Sequence, residues 1–358
     1  MVNPLRVRDE SGCADRTPPA VPGAPVTPGA PAIPETTTLD VRDFLDRVEA
    51  RLASARRGGG FARSDAPFPD LYGTAAAAGI RAALGDPITG KQAARAAAAI
   101  RDFRRPDGAF DDLTHGPLHR TATATSTLRL LGEPEHPPVF LAAKFRPEAA
   151  EAFLEGLDWD APWPASHEFA GLLAVAIATG VDEPDWLEAY LAWLAANADP
   201  ATGLWRHGRI GRVDAFPGRF GNLAGAFHVH FLLDALGRAW PFAERVVDTG
   251  LELASTVPVL RPRADAGPEA WGFPQFDWAY STGRAAARTG HRRADAGRAL
   301  ADLAARAESA LADPRAAEGD LHVVQARVAL VAELAHQGLA VESGGRQLSP
   351  LTDARPFI

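Results

Sequence analysis

Six stretches of the sequence are rich in alanine, leucine and other small or apolar residues, and each is followed by a glycine. These glycines are Gly85, Gly132, Gly180, Gly237, Gly290 and Gly338. A glycine at this position can adopt the left-handed conformation that closes a helix. Successive glycines are 47, 48, 57, 53 and 48 residues apart. Such intervals hold two helices and two loops, so the pattern predicts an array of helical hairpins.

A second helix is predicted before each glycine-ended helix. The predicted spans of these partner helices are 40–57, 90–104, 147–157, 184–197, 242–255 and 293–312. Partner helices carry charged residues on one face, whereas glycine-ended helices are apolar on all sides, which is typical of a buried helix. We therefore predict an all-α fold, an (α/α)6 toroid with the glycine-ended helices in an inner ring. An open solenoid is the alternative.

The N-terminal region differs in composition. Residues 1–38 contain seven prolines between positions 18 and 34 and few large apolar side chains. Such a segment cannot recover the entropy lost on ordering, so we predict a disordered tail followed by one toroid domain over residues 39–358. A partner-docking role of the tail is the alternative.

Charge and cysteine content exclude several function classes. The net charge is −8 without blocks of like charge, so no nucleic-acid partner is predicted. The single cysteine, Cys13, cannot form a disulfide framework or a thiolate cluster. No apolar run has the roughly 20 residues of a membrane span. We expect a cytoplasmic protein with a small-molecule substrate and no cofactor, and the oligomeric state stays open.

Two predicted loops carry a recognisable motif. The segments RRPDGAF (104–110) and DPATGLW (199–205) resemble the Gly-x-aromatic turns of terpenoid cyclase and protein prenyltransferase toroids. Six-hairpin glycosidases and ring-shaped sugar epimerases are the other relatives. The resemblance implies the toroid fold over about residues 40–338. It implies no catalytic residue, since an Asp-x-Asp-Asp motif, an Asp-Asp-x-x-Asp motif and a cysteine-containing zinc set are not found.

Candidate catalytic residues share one register. Thirteen residues before the closing glycines stand Tyr72, His119, His167, Ala224, Asp277 and Gln325. His228 follows Ala224 by one helical turn and lies on the same face. We predict that these polar residues meet at one mouth of the toroid. His119, His167 and His228 are the proton-transfer candidates, Asp277 would orient a histidine or act as an acid, and Tyr72 and Glu168 would support them.

Aromatic and basic residues near this mouth are candidates for substrate binding. They are Trp163, Arg206, His207, Trp271, Trp278, Tyr280 and Gln325. Several belong to long loops, which in compact domains are often functional. For Trp205 and Phe110 we predict a structural role instead, in which the ring holds neighbouring hairpins together.

No metal site is predicted. His228 and His230 point to opposite sides of a helix, and Gly116 and Pro117 place His115 before the helix that carries His119. A metal bound by His119, His167 and Asp277 is the alternative.

The residue types favour an enzyme that uses general acid–base chemistry on a polyhydroxylated or carboxylated small molecule, as a sugar hydrolase, lyase or epimerase does. An isoprenoid cyclase or prenyltransferase-like enzyme is one alternative, and it requires a cavity walled by aromatic rings. A non-catalytic toroid that binds a peptide or glycan is the other.

Overall fold

The computed structural model describes residue 33 and residues 37–112, 114–205 and 220–358. Long helices in chain order are α1 (Arg42–Ala55), α2 (Leu71–Ala83), α3 (Gly90–Arg101), α4 (Pro117–Leu130), α5 (Pro147–Glu155), α6 (Pro162–Thr179), α7 (Pro184–Asn197), α8 (Phe220–Ala235), α9 (Ala243–Thr256), α10 (Phe273–Thr289), α11 (Arg293–Ala312) and α12 (Leu321–His336). A short helix, α13 (Leu351–Ala354), follows. The described part of the chain is mostly helical, which confirms the predicted all-α class.

The predicted helix ends are confirmed. Each even-numbered helix from α2 to α12 stops one or two residues before its predicted closing glycine. All six closing glycines have positive φ angles, from 64° at Gly237 to 96° at Gly338. Because an L-residue with a Cβ is strained in this conformation, glycine at these positions ends the helix at a defined residue.

The first residues of several helices are set by local features, namely side-chain N-caps and first-turn prolines. The Asp70 side chain accepts a hydrogen bond from the Gly73 backbone N–H at 2.6 Å, and Asp320 accepts one from His322 N–H at 2.8 Å. Proline occupies the first turn of α4, α5, α6 and α7, where no intrahelical N–H bond is lost. The caps thus fix where α2, α4, α6 and α12 begin.

The glycine-ended helices pack against one another in cyclic order. Contacts join α2 to α4, α4 to α6, α6 to α8, α8 to α10, α10 to α12, and α12 back to α2. Nearly every side chain of these six helices is buried. The odd-numbered helices keep one exposed face, as the charge pattern predicts, and α9 and α11 both pack on α10.

Short strands occur in two pairs within the described residues. Strand β1 (Thr38–Asp40) pairs in parallel with β4 (Ala340–Glu342), and β2 (Arg56–Arg57) pairs antiparallel with β3 (Gly60–Phe61). The first pair ties the start of the first hairpin to the end of the last one. Strand β1 therefore begins within the segment predicted as a tail, most of which lies outside the described residues.

The Gly-x-aromatic turns are structural, as predicted. Backbone bridges join Arg104 to Phe110 and Ala198 to Trp205, and both rings are buried. The Trp205 indole donates a hydrogen bond to the Leu194 carbonyl at 2.6 Å. The β2–β3 pair joins Arg56 to Phe61 in the same way, so three hairpins share this turn.

The segment 351–358, named here the C-terminal segment, is buried among the glycine-ended helices. Its helix α13 contacts α2, α8 and α12. The buried Arg355 guanidinium donates to the Ala75 carbonyl of α2 at 2.9 Å and to the Phe357 carbonyl. The Phe357 ring contacts His119 of α4 and His228 of α8, at centroid distances of 5.0 and 5.7 Å. This segment therefore contacts helices that do not neighbour one another in the cycle.

Candidate active site

A cavity of about 380 Å³ lies where the first turns of the glycine-ended helices meet the loop before α10. We name it the histidine cavity. Its polar walls come from His115, His119, His167, His228, Glu269, Asp277 and His322, and its larger apolar walls from Trp163, Phe220, Val259, Trp271, Phe273, Val323 and Ile358. Its volume is within the usual range for small-molecule sites.

The structure brings four predicted catalytic residues to this one cavity. His119, His167, His228 and Asp277 come from four successive glycine-ended helices, and all four line it. The His119 and His167 ring centroids are 4.6 Å apart, and those of His167 and His228 are 5.7 Å apart. His119, His167 and Asp277 share the register, and His228 lies one helical turn beyond it. The histidine rings of neighbouring helices are in contact, and Asp277 lines the same cavity.

Tyr72 lies behind this cluster. Its hydroxyl is 2.7 Å from Nδ1 of His119. Burial raises the pKa of the Tyr72 phenol, so it stays protonated at neutral pH. The bond fixes the orientation of the His119 ring and leaves its Nε2 edge available.

The hydrogen bonds of His228 define its tautomer. The Ser166 hydroxyl has one proton, which it donates to the Trp163 carbonyl at 2.6 Å. Ser166 Oγ must then accept from Nδ1 of His228, at 2.7 Å. Nδ1 therefore carries the imidazole proton, and Nε2 has a free lone pair. In this tautomer His228 is neutral and can accept a proton at Nε2.

Burial keeps these histidines uncharged. It lowers the pKa of His119 and His228 well below the ordinary value, and neighbouring histidines add to the effect. The pKa of His167 and that of His322 fall to about 3, mainly through burial. At neutral pH each ring therefore presents a lone pair, suited to accepting a proton or binding a metal.

Burial has the opposite effect on the pKa of Asp277, which it raises. Burial raises the pKa of its carboxyl well above 3.8, because desolvation disfavours the charged carboxylate. Its Oδ1 is buried without a hydrogen-bond partner among the described residues. A neutral carboxylic acid beside neutral imidazoles is the pairing that acid–base catalysis uses.

The described wall of the histidine cavity contains no arginine or lysine. Among the described residues that line it, the acidic side chains are those of Glu269 and Asp277. Among the described residues of this wall, a carboxylate substrate would find no arginine or lysine to offset its desolvation. The arrangement favours an uncharged ligand with an apolar part.

The remaining predicted residues are placed as follows. Trp163 and Trp271 line the cavity. Glu168 is half-buried outside it, with its carboxyl against Gly116, and burial raises its pKa. Arg206 and His207 lie outside the described residues.

Three predicted binding residues lie away from the cavity wall. The Trp278 indole donates to the Gly250 carbonyl at 2.7 Å, and the Tyr280 hydroxyl donates to Asp234 at 2.6 Å. The Gln325 amide lies against Gly79, between α12 and α2. None of these three side chains lies in the described wall of the histidine cavity, and their role in substrate binding stays a prediction.

His115 is the residue that the register missed. It precedes α4 by two residues, as predicted, yet its ring stacks on His119 at a centroid distance of 4.1 Å. The i, i+4 spacing of the two histidines was the available signal. Ile358 carried no signal, because nothing in the sequence pattern connects the C-terminal segment with the cavity.

Comparisons with known proteins found no matching family model, no matching curated protein and no matching solved structure. Among the described residues, no helix is both long and apolar enough to cross a membrane.

Proposed function

We propose that the six hairpins form an (α/α)6 toroid, with the C-terminal segment filling its centre. The cyclic contacts of the glycine-ended helices, closed by α12 on α2, support this arrangement. So does the parallel pairing of β1 with β4, which connects the first and last hairpins. An open solenoid would leave its first and last repeats apart.

We further propose that the protein is an enzyme that performs general acid–base chemistry in the histidine cavity. The observation that carries the proposal is the convergence of His119, His167, His228 and Asp277 on one cavity. Among these four residues the Oδ1 of Asp277 is buried without a partner in the described part of the chain, and such a group costs about 1–3 kcal/mol. The substrate that fits best is an uncharged small molecule with hydroxyl or carbonyl groups, such as a neutral sugar derivative.

His228 and Asp277 take the proton-transfer roles in this proposal. The Nε2 lone pair of His228 accepts a proton from a substrate hydroxyl, an activated water or a carbon acid. The Asp277 carboxyl donates its proton to the leaving or developing oxygen. Burial disfavours the charged forms of both groups, and so favours the neutral imidazole and the neutral carboxylic acid from which these roles start.

A substrate panel tests this function. Neutral nitrophenyl glycosides, sugar lactones and simple esters are offered beside charged counterparts such as uronides. We expect turnover of a neutral compound, with His228→Gln and Asp277→Asn each lowering kcat by roughly 10²–10⁴-fold. The exposed His136 gives a matched control, His136→Gln, which should keep full activity. A preference for uronides, or unchanged rates in both cavity variants, contradicts the proposal.

One observation favours a second candidate, an isoprenoid cyclase. Trp163, Phe220, Trp271 and Phe273 line the cavity together with Asp277, whose carboxyl pKa is raised by burial. A buried acid can protonate an alkene, and aromatic faces stabilise the resulting cation. Incubation with linear polyprenyl substrates, followed by mass spectrometry, distinguishes the two: cyclised products that vanish in Asp277→Asn establish the cyclase.

A further inference from the structure

Three imidazole rings of the histidine cavity form a tight cluster. Besides the His115–His119 stack at 4.1 Å, the centroids of His115 and His167 are 5.3 Å apart, and those of His119 and His167 are 4.6 Å apart. Each ring offers one nitrogen, and all three nitrogens lie within 4.8 Å of one another. Three lone-pair donors at this separation repel one another unless a cation lies between them.

The hydrogen bond that holds one of these histidines also resembles those found around metal ligands. His119 is held at Nδ1 by the Tyr72 hydroxyl, as ligating histidines are commonly held by an outer hydrogen bond. His115 and His167 have no side-chain hydrogen bond among the described residues. Their rings can therefore turn toward a common centre. Zinc–nitrogen bonds are about 2.0–2.1 Å. Imidazole lone pairs lie in the ring plane, so the His115 ring, stacked on His119 with 27° between the two planes, must rotate out of the stack when both rings bind one ion.

We propose that His115, His119 and His167 bind one divalent transition-metal ion, zinc by preference, with an open coordination position toward the histidine cavity. Three neutral imidazoles without thiolate ligands suit zinc, cobalt, nickel or copper rather than magnesium or calcium. All three residues line the cavity, so the remaining position faces the substrate.

This ligand set differs from the one considered from the sequence, in which Asp277 was the third ligand. Among the described residues, the group with ligand atoms this close consists of the three histidines. A position before α4 did not exclude His115, because the residues Gly116 and Pro117 turn the chain so that its ring stacks on His119.

The assignment rests on the proposed acid–base enzyme and deepens it. His119 and His167 become ligands, and His228 and Asp277 keep the proton-transfer roles. The ion would act as a Lewis acid on a carbonyl or leaving-group oxygen of the substrate. This combination favours hydrolysis, elimination or isomerisation of an oxygen-bearing neutral substrate.

Cobalt binding tests the site without any substrate. The full chain, purified without a histidine tag and freed of metal with a chelator, is titrated with Co²⁺ and followed by its visible absorption. We expect one equivalent to give the intense bands of four-coordinate cobalt, and Zn²⁺ to displace them. Metal analysis of the protein as isolated should give one zinc per chain.

Single variants identify the ligands. His115→Gln, His119→Gln and His167→Gln should each weaken cobalt binding at least 100-fold, whereas His136→Gln should bind normally. Tyr72→Phe should weaken it about 10–100-fold, because the outer hydrogen bond to His119 is lost. Circular dichroism and thermal melting confirm that each variant is folded, and a variant that fails this check is replaced by the corresponding asparagine.

Two results overturn the metal site. One is the absence of stoichiometric cobalt binding, and the other is unchanged affinity in His115→Gln. Loss of cobalt binding in Asp277→Asn, together with normal binding in His115→Gln, would instead assign the ion to His119, His167 and Asp277. Stoichiometric binding without turnover of any panel substrate supports the metal site and refutes the proposed enzyme. Turnover by metal-free protein supports the proposed enzyme and refutes the Lewis-acid role of the ion, and cobalt binding still decides whether the site exists.

Discussion

At the scale of single residues, the protein buries more histidine than its helices need. His119, His228 and His230 are nearly inaccessible to solvent, and burial lowers the pKa of each. A leucine at any of these positions would avoid the desolvation of two ring nitrogens. The polar rings are therefore retained at a cost in stability, which is expected where a side chain serves a function.

His230 allows this cost to be measured outside the proposed site. Its ring stacks on Trp240 at a centroid distance of 4.0 Å, and its Nδ1 is 3.1 Å from the Ser281 hydroxyl. Its Nε2 is buried without a partner among the described residues. Burial lowers the pKa of His230 to about 3, from an ordinary value of 6.5.

We predict that His230→Phe makes the protein less sensitive to acid. As pH falls below 6.5, the unfolded chain binds a proton at His230 before the folded protein does. Folded wild type therefore loses up to about 1.4 kcal/mol per pH unit from this residue. Urea unfolding at several pH values from about 7 to 4.5 should show a shallower slope for His230→Phe. Equal slopes in both proteins would show that His230 is protonated in the fold.

Site residues within the repeated helices could be predicted from the sequence, and those outside these helices could not. His119, His167, His228 and Asp277 follow a register that counts from the helix end, so the sequence contains the information. Trp278 directly follows Asp277 and points about 100° away, toward α9. His115 and Ile358 lie outside the helical repeat, where no periodic pattern fixes the direction of a side chain.

At the scale of helices, glycines inside the glycine-ended helices set how closely they pack. A Cβ at Gly225 of α8 would lie 2.6 Å from the Pro162 carbonyl oxygen of α6, and one at Gly171 of α6 would lie 3.2 Å from the Leu118 backbone of α4. Helix backbones thus come close to each other without intervening side chains. This explains why small residues are so frequent in these helices.

We predict that Gly225→Ala destabilises the protein. The neighbour at 2.6 Å is backbone, so α6 or α8 must move, at a cost of about 1–3 kcal/mol. Alanine favours a helix over glycine by about 1 kcal/mol, which leaves a net loss of up to about 2 kcal/mol in chemical denaturation.

Gly79→Ala provides a matched control. A Cβ there meets the amide end of Gln325 at 2.7 Å, and this flexible side chain can rotate away. We expect Gly79→Ala to be neutral or stabilising. Equal losses in the two variants would indicate that both helix contacts are rigid, whereas equal gains would show that α8 can shift away from α6 easily.

Helices were predictable from the sequence and strands were not. Closing glycines and first-turn prolines are local signals, and they placed each long helix within a few residues. Strands β1 and β4 have three residues each and lie 300 residues apart. A three-residue strand is too short for an alternating pattern, and its partner cannot be inferred without the fold.

At the scale of the whole molecule, the C-terminal segment connects the fold with the site. Phe357 is fully buried and contacts His119, His228 and Phe231, and Ile358 lines the histidine cavity. The cavity is therefore bounded by the last residues of the chain as well as by the helices. The sequence predicted a polar space at the centre of the repeats, but only the tertiary packing shows that part of it is filled by Arg355 and Phe357.

We predict that Phe357→Ala lowers the free energy of unfolding by about 3–5 kcal/mol, the usual cost of a fully buried phenylalanine. Its ring lies between α4 and α8, so its removal leaves a void that these helices cannot close without disturbing the cyclic contacts. Phe68 provides the control, because its ring is 75% exposed and Phe68→Ala should change stability by less than about 0.5 kcal/mol. Urea denaturation of the two variants gives the comparison. If Phe357→Ala unfolds like wild type, the C-terminal segment contributes no packing energy, and the histidine cavity must be bounded by the helices alone.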